Sequence, residues 1–306
     1  MKFLGTYATQ IMAANVFVAL MVPDFAHVMK PLLGPSIWAL LFVAMVRLDW
    51  QSVLDHIRQY GLITAALVWM LIGCPIAIYG MMQVTNLPAG IIAAIVLTAA
   101  SAPLMSVPVV ALMIGLNGSL ALVLMVLATF LAPITMPVLA LELLGLDLQI
   151  STLEMMGRMV GLVGSAFLAA MAFRKLAGTD RIMAWWTGFD GLAVIFMGVF
   201  VFAIMDGITA VLLAEPYRVL LIIILSFAIN GGLQVAGSLV FTSKPRQERY
   251  TLGYVCGMRN MGVILVVLPD GVDPDIVLYF ALAQFPIYIL PALLKPLYGR
   301  LLIDKG

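Results

Sequence analysis

Charge is scarce in this sequence. Asp, Glu, Lys and Arg make up 10% of its 306 residues, against roughly 25% in an average soluble domain. That shortage excludes an ordinary soluble globular protein. Sixteen basic residues stand against fifteen acidic ones, for a net charge of +1. The concentrated basic footprint of a nucleic-acid binder is therefore missing, and no nucleic-acid partner is expected. Cysteine is almost absent: Cys74 and Cys256 both lie inside apolar runs, and no Cys/His spacing serves a disulfide framework or a zinc site. With His27 and His56 as the two histidines, His-based catalysis and His-ligated metals are poor fits. There is no nucleophile–base pair and no metal-ligand cluster, so neither an enzyme, a metal nor a cofactor is expected.

What the chain has instead is apolar length. It is 64% hydrophobic, with a mean hydropathy of +1.13. About 20 residues cross a bilayer core as a helix. Breaks at charge and turn clusters predict ten spans, at 4–22, 31–47, 61–83, 88–116, 118–143, 155–176, 181–205, 216–243, 249–268 and 275–303. The run after Lys2 continues through Gln10 to Val22 and reads as the first span rather than a signal peptide. Between spans two and three, Asp49 to Gln59 sets Trp50, Val53, Leu54 and Ile57 against polar residues, the pattern of a short interfacial helix. With the N-terminus inside, the cytoplasmic loops collect Lys2, Arg47, Arg58, Arg174, Lys175, Arg181, Lys244, Arg246, Arg249, Lys295, Arg300 and Lys305. The opposite side receives Lys30 and, flanking spans, Arg158 and Arg218, together with Asp24, Glu142, Asp147, Glu154, Asp206, Glu215, Asp270, Asp273 and Asp275. That asymmetry obeys the positive-inside rule. The expected fold is an all-α polytopic membrane protein with both termini cytoplasmic and the lipid bilayer as its solvent.

The chain is read as one transmembrane unit, 1–306, made of two five-span repeats, 1–150 and 151–306. Five is odd, so the repeats enter the membrane in opposite orientation, a common transporter plan with the site at broken helices. The fourth span of each half carries helix breakers: Ser101-Ala102-Pro103-Leu104-Met105-Ser106-Val107-Pro108 in the first, and Gly253 through Gly262 in the second. Pro103 and Pro108 remove backbone donors, and the freed carbonyls need protein, hydroxyl or water partners, with Ser101 and Ser106 nearest. A simple proline kink gives the same pattern. Gly253, Gly257 and Gly262 are read as loosening the ninth span around Met258, Arg259 and Asn260. A cation at the bilayer centre costs at least ~2.5–3.5 kcal/mol and usually marks a pathway or a pair; the alternatives are snorkelling or a purely structural ion pair. Asp190, nine residues after Arg181, lies about 14 Å further along a continuous helix, near mid-membrane. It is expected to pair with Arg259 in at least one state, to be a protonatable coupling site, or to face water. Asn230 and Gln234, one turn apart, are expected to line the same polar interior or to hydrogen-bond between helices. The 21 methionines fit gap-filling, Trp185 and Trp186 fit interfacial anchors, and Pro133 and Pro137 mark a bend.

The ten-span plan, the segment WALLFVAMVRLDWQSVLDHIRQYG, the bend TFLAPITMPVL and the stretch GYVCGMRNMG resemble the bile acid:sodium symporter family over essentially the whole chain, as a divergent bacterial-type member. The resemblance implies a bacterial inner-membrane protein with a core of spans 3–5 and 8–10 (61–143 and 216–303). That core moves against a panel of spans 1, 2, 6 and 7 (4–47 and 155–205). Broken helices 4 and 9 cross near the membrane centre, and organic anions such as bile acids and small carboxylates are the substrate class. Substrate contacts are expected at Arg259, Asn260, Ser101, Ser106, Pro108 and Met258. The departures are informative. Where sodium-coupled relatives carry Glu-x-Gly-x-Gln-Asn, this chain has Val255-Cys256-Gly257-Met258-Arg259-Asn260. The family's Ser-Asn falls at Ser106, Val107 and Pro108, and its hydroxyl ligands at about Ala121 and Met125. A hard cation wants oxygen ligands, and here they are missing. The leading expectation is a secondary transporter of an organic anion without the usual sodium sites, Arg259 replacing the cation or clamping a carboxylate. The alternatives are proton coupling through Asp190, arsenite efflux, or a non-transporting membrane sensor on the same scaffold.

Overall fold

A computed structural model of the protein describes residues 8–48 and 60–302. In chain order its helices are α1 (Ala8–Met21), α2 (Pro23–Met29), α3 (Leu33–Val46), α4 (Tyr60–Val68), α5 (Cys74–Met82), α6 (Ala89–Ala100), α7 (Val107–Met113), α8 (Gly118–Pro137), α9 (Thr152–Ala177), α10 (Thr179–Ala184), α11 (Trp186–Ile204), α12 (Ile208–Ala214), α13 (Pro216–Val240), α14 (Arg246–Gly257), α15 (Met261–Val267), α16 (Pro274–Leu282) and α17 (Gln284–Leu302). Among the described residues there is no strand. The expected interfacial helix at Asp49–Gln59 and the first residues of the first expected span lie outside the described residues.

Among the described residues, seven continuous helical stretches are long and apolar enough to cross a bilayer: Pro23–Val46, Tyr60–Met82, Gly118–Leu143, Thr152–Ala177, Trp186–Ile204, Pro216–Val240 and Pro274–Leu302. The chain is therefore an all-helical, polytopic integral membrane protein. The first of these stretches, at the second expected span, begins earlier than the sequence predicts, because a 3₁₀ turn at Lys30–Leu32 carries α2 into α3 without ending the helix. The seventh expected span is split: α10 ends at Ala184, and the chain restarts as α11 at Trp186. The fourth and ninth expected spans are each interrupted. Their halves have 12 and 7 residues in both cases, and no single half reaches the ~20 residues a crossing needs.

The chain forms two compact units, Met1–Leu48 with Arg158–Ile222 and Asp49–Gly157 with Ile223–Gly306. In the first, α11 packs against α1, α2 and α3. Aromatic rings fill that packing: Phe42 meets Phe173 edge-on at 5.8 Å, and Phe173 meets Phe189 at 6.1 Å. Its polar links sit at helix ends. Arg174 donates to the carbonyls of Val46 and Leu48, the last turn of α3 and the residues after it, where a cation suits the negative end of the helix. Asp206, in the turn after α11, accepts from Lys30 at 2.9 Å and is paired with His27 at 3.1 Å.

In the second unit, α5 and α16 pack on α6, and α7 and α14 pack on α8. Enclosure is greatest here: 72% of an apolar 18-residue stretch of Pro274–Leu302 and 61% of one in Gly118–Leu143 is buried, against 22% for Thr152–Ala177. The bend expected at Pro133 and Pro137 takes a specific form. The helix runs on through both prolines and then widens into a π-helical turn at Val138–Leu143, the response to donors that proline lacks. Asn117 starts α8 by accepting from the Leu120 amide at 3.0 Å, an N-cap bond.

The Asp206 cluster gives a pH test. Burial alone would raise its carboxyl, but the hydrogen bonds and charges of Lys30 and His27 outweigh burial and hold it below the usual carboxylate range. A depressed carboxyl stabilises the fold above its unfolded pKa of about 3.9, and the gain disappears as pH falls through the lower folded value. Because His27 and Lys30 are exposed, the contribution is at most about 1 kcal/mol. Thermal unfolding in detergent should show D206N less stable than wild type at pH 5, with the difference narrowing as pH falls from about 3.9 toward 3. A difference that persists unchanged through that range contradicts the assignment.

Candidate functional site

The site is built where helices stop. α6 ends at Ala100, Ser101 turns extended (φ −72°, ψ 159°), and α7 begins only at Val107. α14 ends at Gly257, and Met258, Arg259 and Asn260 separate it from α15. The two breaks meet as a short antiparallel bridge with Pro103 opposite Arg259. The Asn260 amide donates to the Ala102 carbonyl at 2.8 Å, and the Leu104 amide donates to the Met258 carbonyl at 3.0 Å. Both bonds come from residues flanking the opposed pair, so the donor that Pro103 lacks is not called on.

Arg259 is fully buried, with 0% of its surface exposed. Its guanidinium donates from Nε to the Cys256 carbonyl at 2.5 Å, from Nη1 to the Ser101 carbonyl at 2.7 Å and from Nη2 to the Met70 carbonyl at 3.2 Å. Each acceptor is free for a local reason. Ser101 and Cys256 lie at the ends of α6 and α14, where carbonyls have no helical donor. Met70 lies in a π-helical turn, Trp69–Gly73, in which the Cys74 amide bonds back to the Trp69 carbonyl. The next donor in that register would be Pro75, which has no N–H. No carboxylate is paired with Arg259 among the described residues. The charge is held by carbonyl dipoles drawn from three separate segments, which is how an oxygen cage holds a metal cation.

Glycines bring the neighbouring helix close. A Cβ on Gly253 would sit 2.5 Å from the Gln234 carbonyl, and one on Gly257 would sit 2.4 Å from the Asn230 carbonyl. The sequence reading took these glycines to loosen the ninth span. They lie inside α14 and let α13 approach its backbone, while the interruption itself falls at Met258–Asn260. Asn230 and Gln234 are buried there. The Asn230 amide donates back to the Ser226 carbonyl at 2.8 Å, and its side-chain oxygen has no partner among the described residues. Gln234 accepts from the Tyr298 hydroxyl at 3.1 Å and directs its amide at the Met258 sulfur, 3.9 Å away.

Of the expected substrate contacts, Ser101, Pro108, Met258 and Arg259 are buried, and Ser106 and Asn260 are partly exposed. The Ser101 hydroxyl is used locally, donating to the Thr98 carbonyl at 2.9 Å. Asp190 has a different setting from the one its spacing implied. Because the helix restarts at Trp186, Asp190 is about one turn into α11 rather than deep in a continuous span. Its carboxylate takes Arg47 at 2.6 Å, and Arg47 also lies over the Trp186 ring at 4.7 Å. Asp190 and Arg259, expected as partners, belong to different units and are each engaged elsewhere. Met70 and Tyr298 join the site without having stood out in the sequence. Pro75, inside an otherwise apolar span, was the visible signal for the first; nothing local marks Tyr298.

The chain matches no protein-family model and no curated protein sequence.

Two substitutions test this geometry. R259M should lower stability markedly, because each buried carbonyl left without a donor costs about 1–3 kcal/mol; R259K should fall between R259M and wild type, since lysine keeps the charge but not the planar fork. G257A should cost about 1–3 kcal/mol through overpacking against α13. Thermal unfolding in detergent reads both, and an R259M protein as stable as wild type would refute the carbonyl cage.

Proposed function

We propose that the protein is a secondary transporter that moves a small or amphipathic organic anion across the membrane by alternating access, with Arg259 serving as a built-in cation. The observation that carries this reading is the guanidinium buried where two helix interruptions meet, bonded to three carbonyls and, among the described residues, to no carboxylate. A positive charge without a counter-charge, in a region that excludes water, attracts an anion. Its bonds favour the resident-cation role over a clamp, because each of its three nitrogens already donates to a backbone carbonyl. Ser106 and Asn260, partly exposed at the two breaks, are the polar groups that remain for direct contact with a solute.

Membership of the bile acid:sodium symporter family, ten spans and two inverted five-span repeats belong to the same proposal. The repeat reading is supported by the matching 12- and 7-residue halves of the interrupted helices and by the antiparallel sense of their bridge. A moving core and a panel are supported by the presence of two compact units. In this reading the protein resides in a bacterial inner membrane with both termini cytoplasmic, as the distribution of Lys and Arg favours. Sodium is not required, because a covalently attached cation stands where the ion would bind. Proton coupling through Asp190 draws less support, since its carboxylate is taken by Arg47.

Purified protein in liposomes, offered a panel of carboxylates with sodium and proton gradients imposed separately, tests the proposal. Uptake of at least one carboxylate should proceed in sodium-free buffer. R259Q should abolish uptake more severely than it lowers the folded yield, and D190N should leave uptake and its response to a pH gradient intact. Strict dependence on sodium with two ions per cycle would overturn the built-in cation.

A further inference from the structure

The turn that joins α9 to α11 sets exposed cations beside exposed apolar side chains, and the transport reading gives it no role. α9 and α11 are both long and apolar enough to cross the bilayer, so residues 178–185 between them lie at a membrane face. The turn is tightly built. The Gly178 amide donates to the Arg174 carbonyl at 3.0 Å, and the Trp185 amide donates to the Arg181 carbonyl at 2.9 Å. α10 buries Ile182 and leaves its other residues exposed, while the Trp185 ring reaches back to the Phe173 ring at 6.4 Å. Lys175 and Arg181 are exposed. Beside them Leu176 is 84% exposed and Met183 66%, and both Trp185 and Trp186 are exposed as well.

We infer that this turn binds an anionic phospholipid, its phosphate held by Lys175 and Arg181 and its acyl chains lying against Leu176, Met183, Trp185 and Trp186. The charges at this end of the unit favour an anion. Asp190 is taken by Arg47, and Arg174 is spent on the carbonyls that end α3. Lys175 and Arg181 then stand with one exposed carboxylate, Asp180, on the same turn. The opposite end of the unit matches acid with base: Asp206 takes Lys30 and Glu215 takes Arg218. The apolar side chains decide what kind of anion fits. A soluble anion would meet the two cations and leave Leu176, Met183 and the indoles uncovered. A zwitterionic lipid would cover them but bring its own ammonium group up to Lys175 and Arg181. A lipid with a net negative headgroup meets both demands, with the guanidinium fork suited to phosphate oxygens and the indoles placed at headgroup level.

The test reads lipid contact and makes no use of transport, so it fails or succeeds independently of the transport proposal. The purified full-length protein is reconstituted in phosphatidylcholine vesicles that carry rising fractions of either phosphatidylglycerol or phosphatidylcholine brominated in the acyl chains. Bromine quenches the tryptophans it approaches. At equal fraction, brominated phosphatidylglycerol should quench wild type more strongly than brominated phosphatidylcholine. A cation beside an anionic lipid headgroup is worth roughly fivefold in affinity. K175Q/R181Q should therefore raise the fraction of phosphatidylglycerol needed for half-quenching at least ~5-fold, toward that of phosphatidylcholine. W185F/W186F, which keeps the other three of the five tryptophans, should lose the excess quenching, a readout that holds even if the charge variant folds poorly. K244Q, which changes an exposed lysine of the other unit, should keep the wild-type preference. Equal quenching by the two lipids, or a preference for phosphatidylglycerol that survives either double substitution, would overturn the proposal. So would loss of the preference on adding inorganic phosphate at constant ionic strength, the mark of a soluble-anion site.

Discussion

A guanidinium cannot be buried in an apolar membrane protein unless oxygen meets its N–H groups, and this requirement organises the second unit. Helices do not have carbonyls to spare, because each is taken by the amide one turn on. Arg259 is satisfied because three helical runs each release a carbonyl around it: a π-turn widens one before Pro75, and the other two stop after Ala100 and after Gly257. The breaks and the cation depend on each other. Without the breaks the cation would lack acceptors, and without the cation the broken ends would leave polar backbone groups unmatched in a place that excludes water.

The pairing of the two breaks meets the rest of that need. Ala102, Leu104, Met258 and Asn260 supply two backbone bonds across the crossing, and proline stands at the position where an N–H is not called on. Close approach of α13 through Gly253 and Gly257 then encloses the assembly. The unit that holds the site thus places its polar chemistry inside. The other unit does the reverse: its interior is a run of aromatic rings, and its ion pairs, Arg47–Asp190 and Asp206 with Lys30, lie at helix ends.

That contrast bears on what each part can do. A charge held by fixed dipoles costs no reorganisation when a ligand arrives, so a built-in cation gives a permanent potential rather than one that waits on an ion.

By itself the sequence determined the class of protein, the approximate position of most long helices and the two places where helices must break. These follow from apolar length and from proline, properties that act through near neighbours along the chain. It also marked Arg259, because a cation in an apolar run is conspicuous wherever it ends up. Partnership was decided only by the tertiary structure. Spacing along a presumed continuous helix set Asp190 at mid-membrane, but a restart at Trp186 puts it one turn from a helix start and beside Arg47. Glycines that looked like loosening elements proved to be contact points, since a missing Cβ reads the same in sequence whether it frees a helix or admits a neighbour. The acceptors of Arg259 were invisible for a related reason: a backbone carbonyl carries no residue identity, and whether it is free depends on hydrogen bonds that form only once the chain has folded.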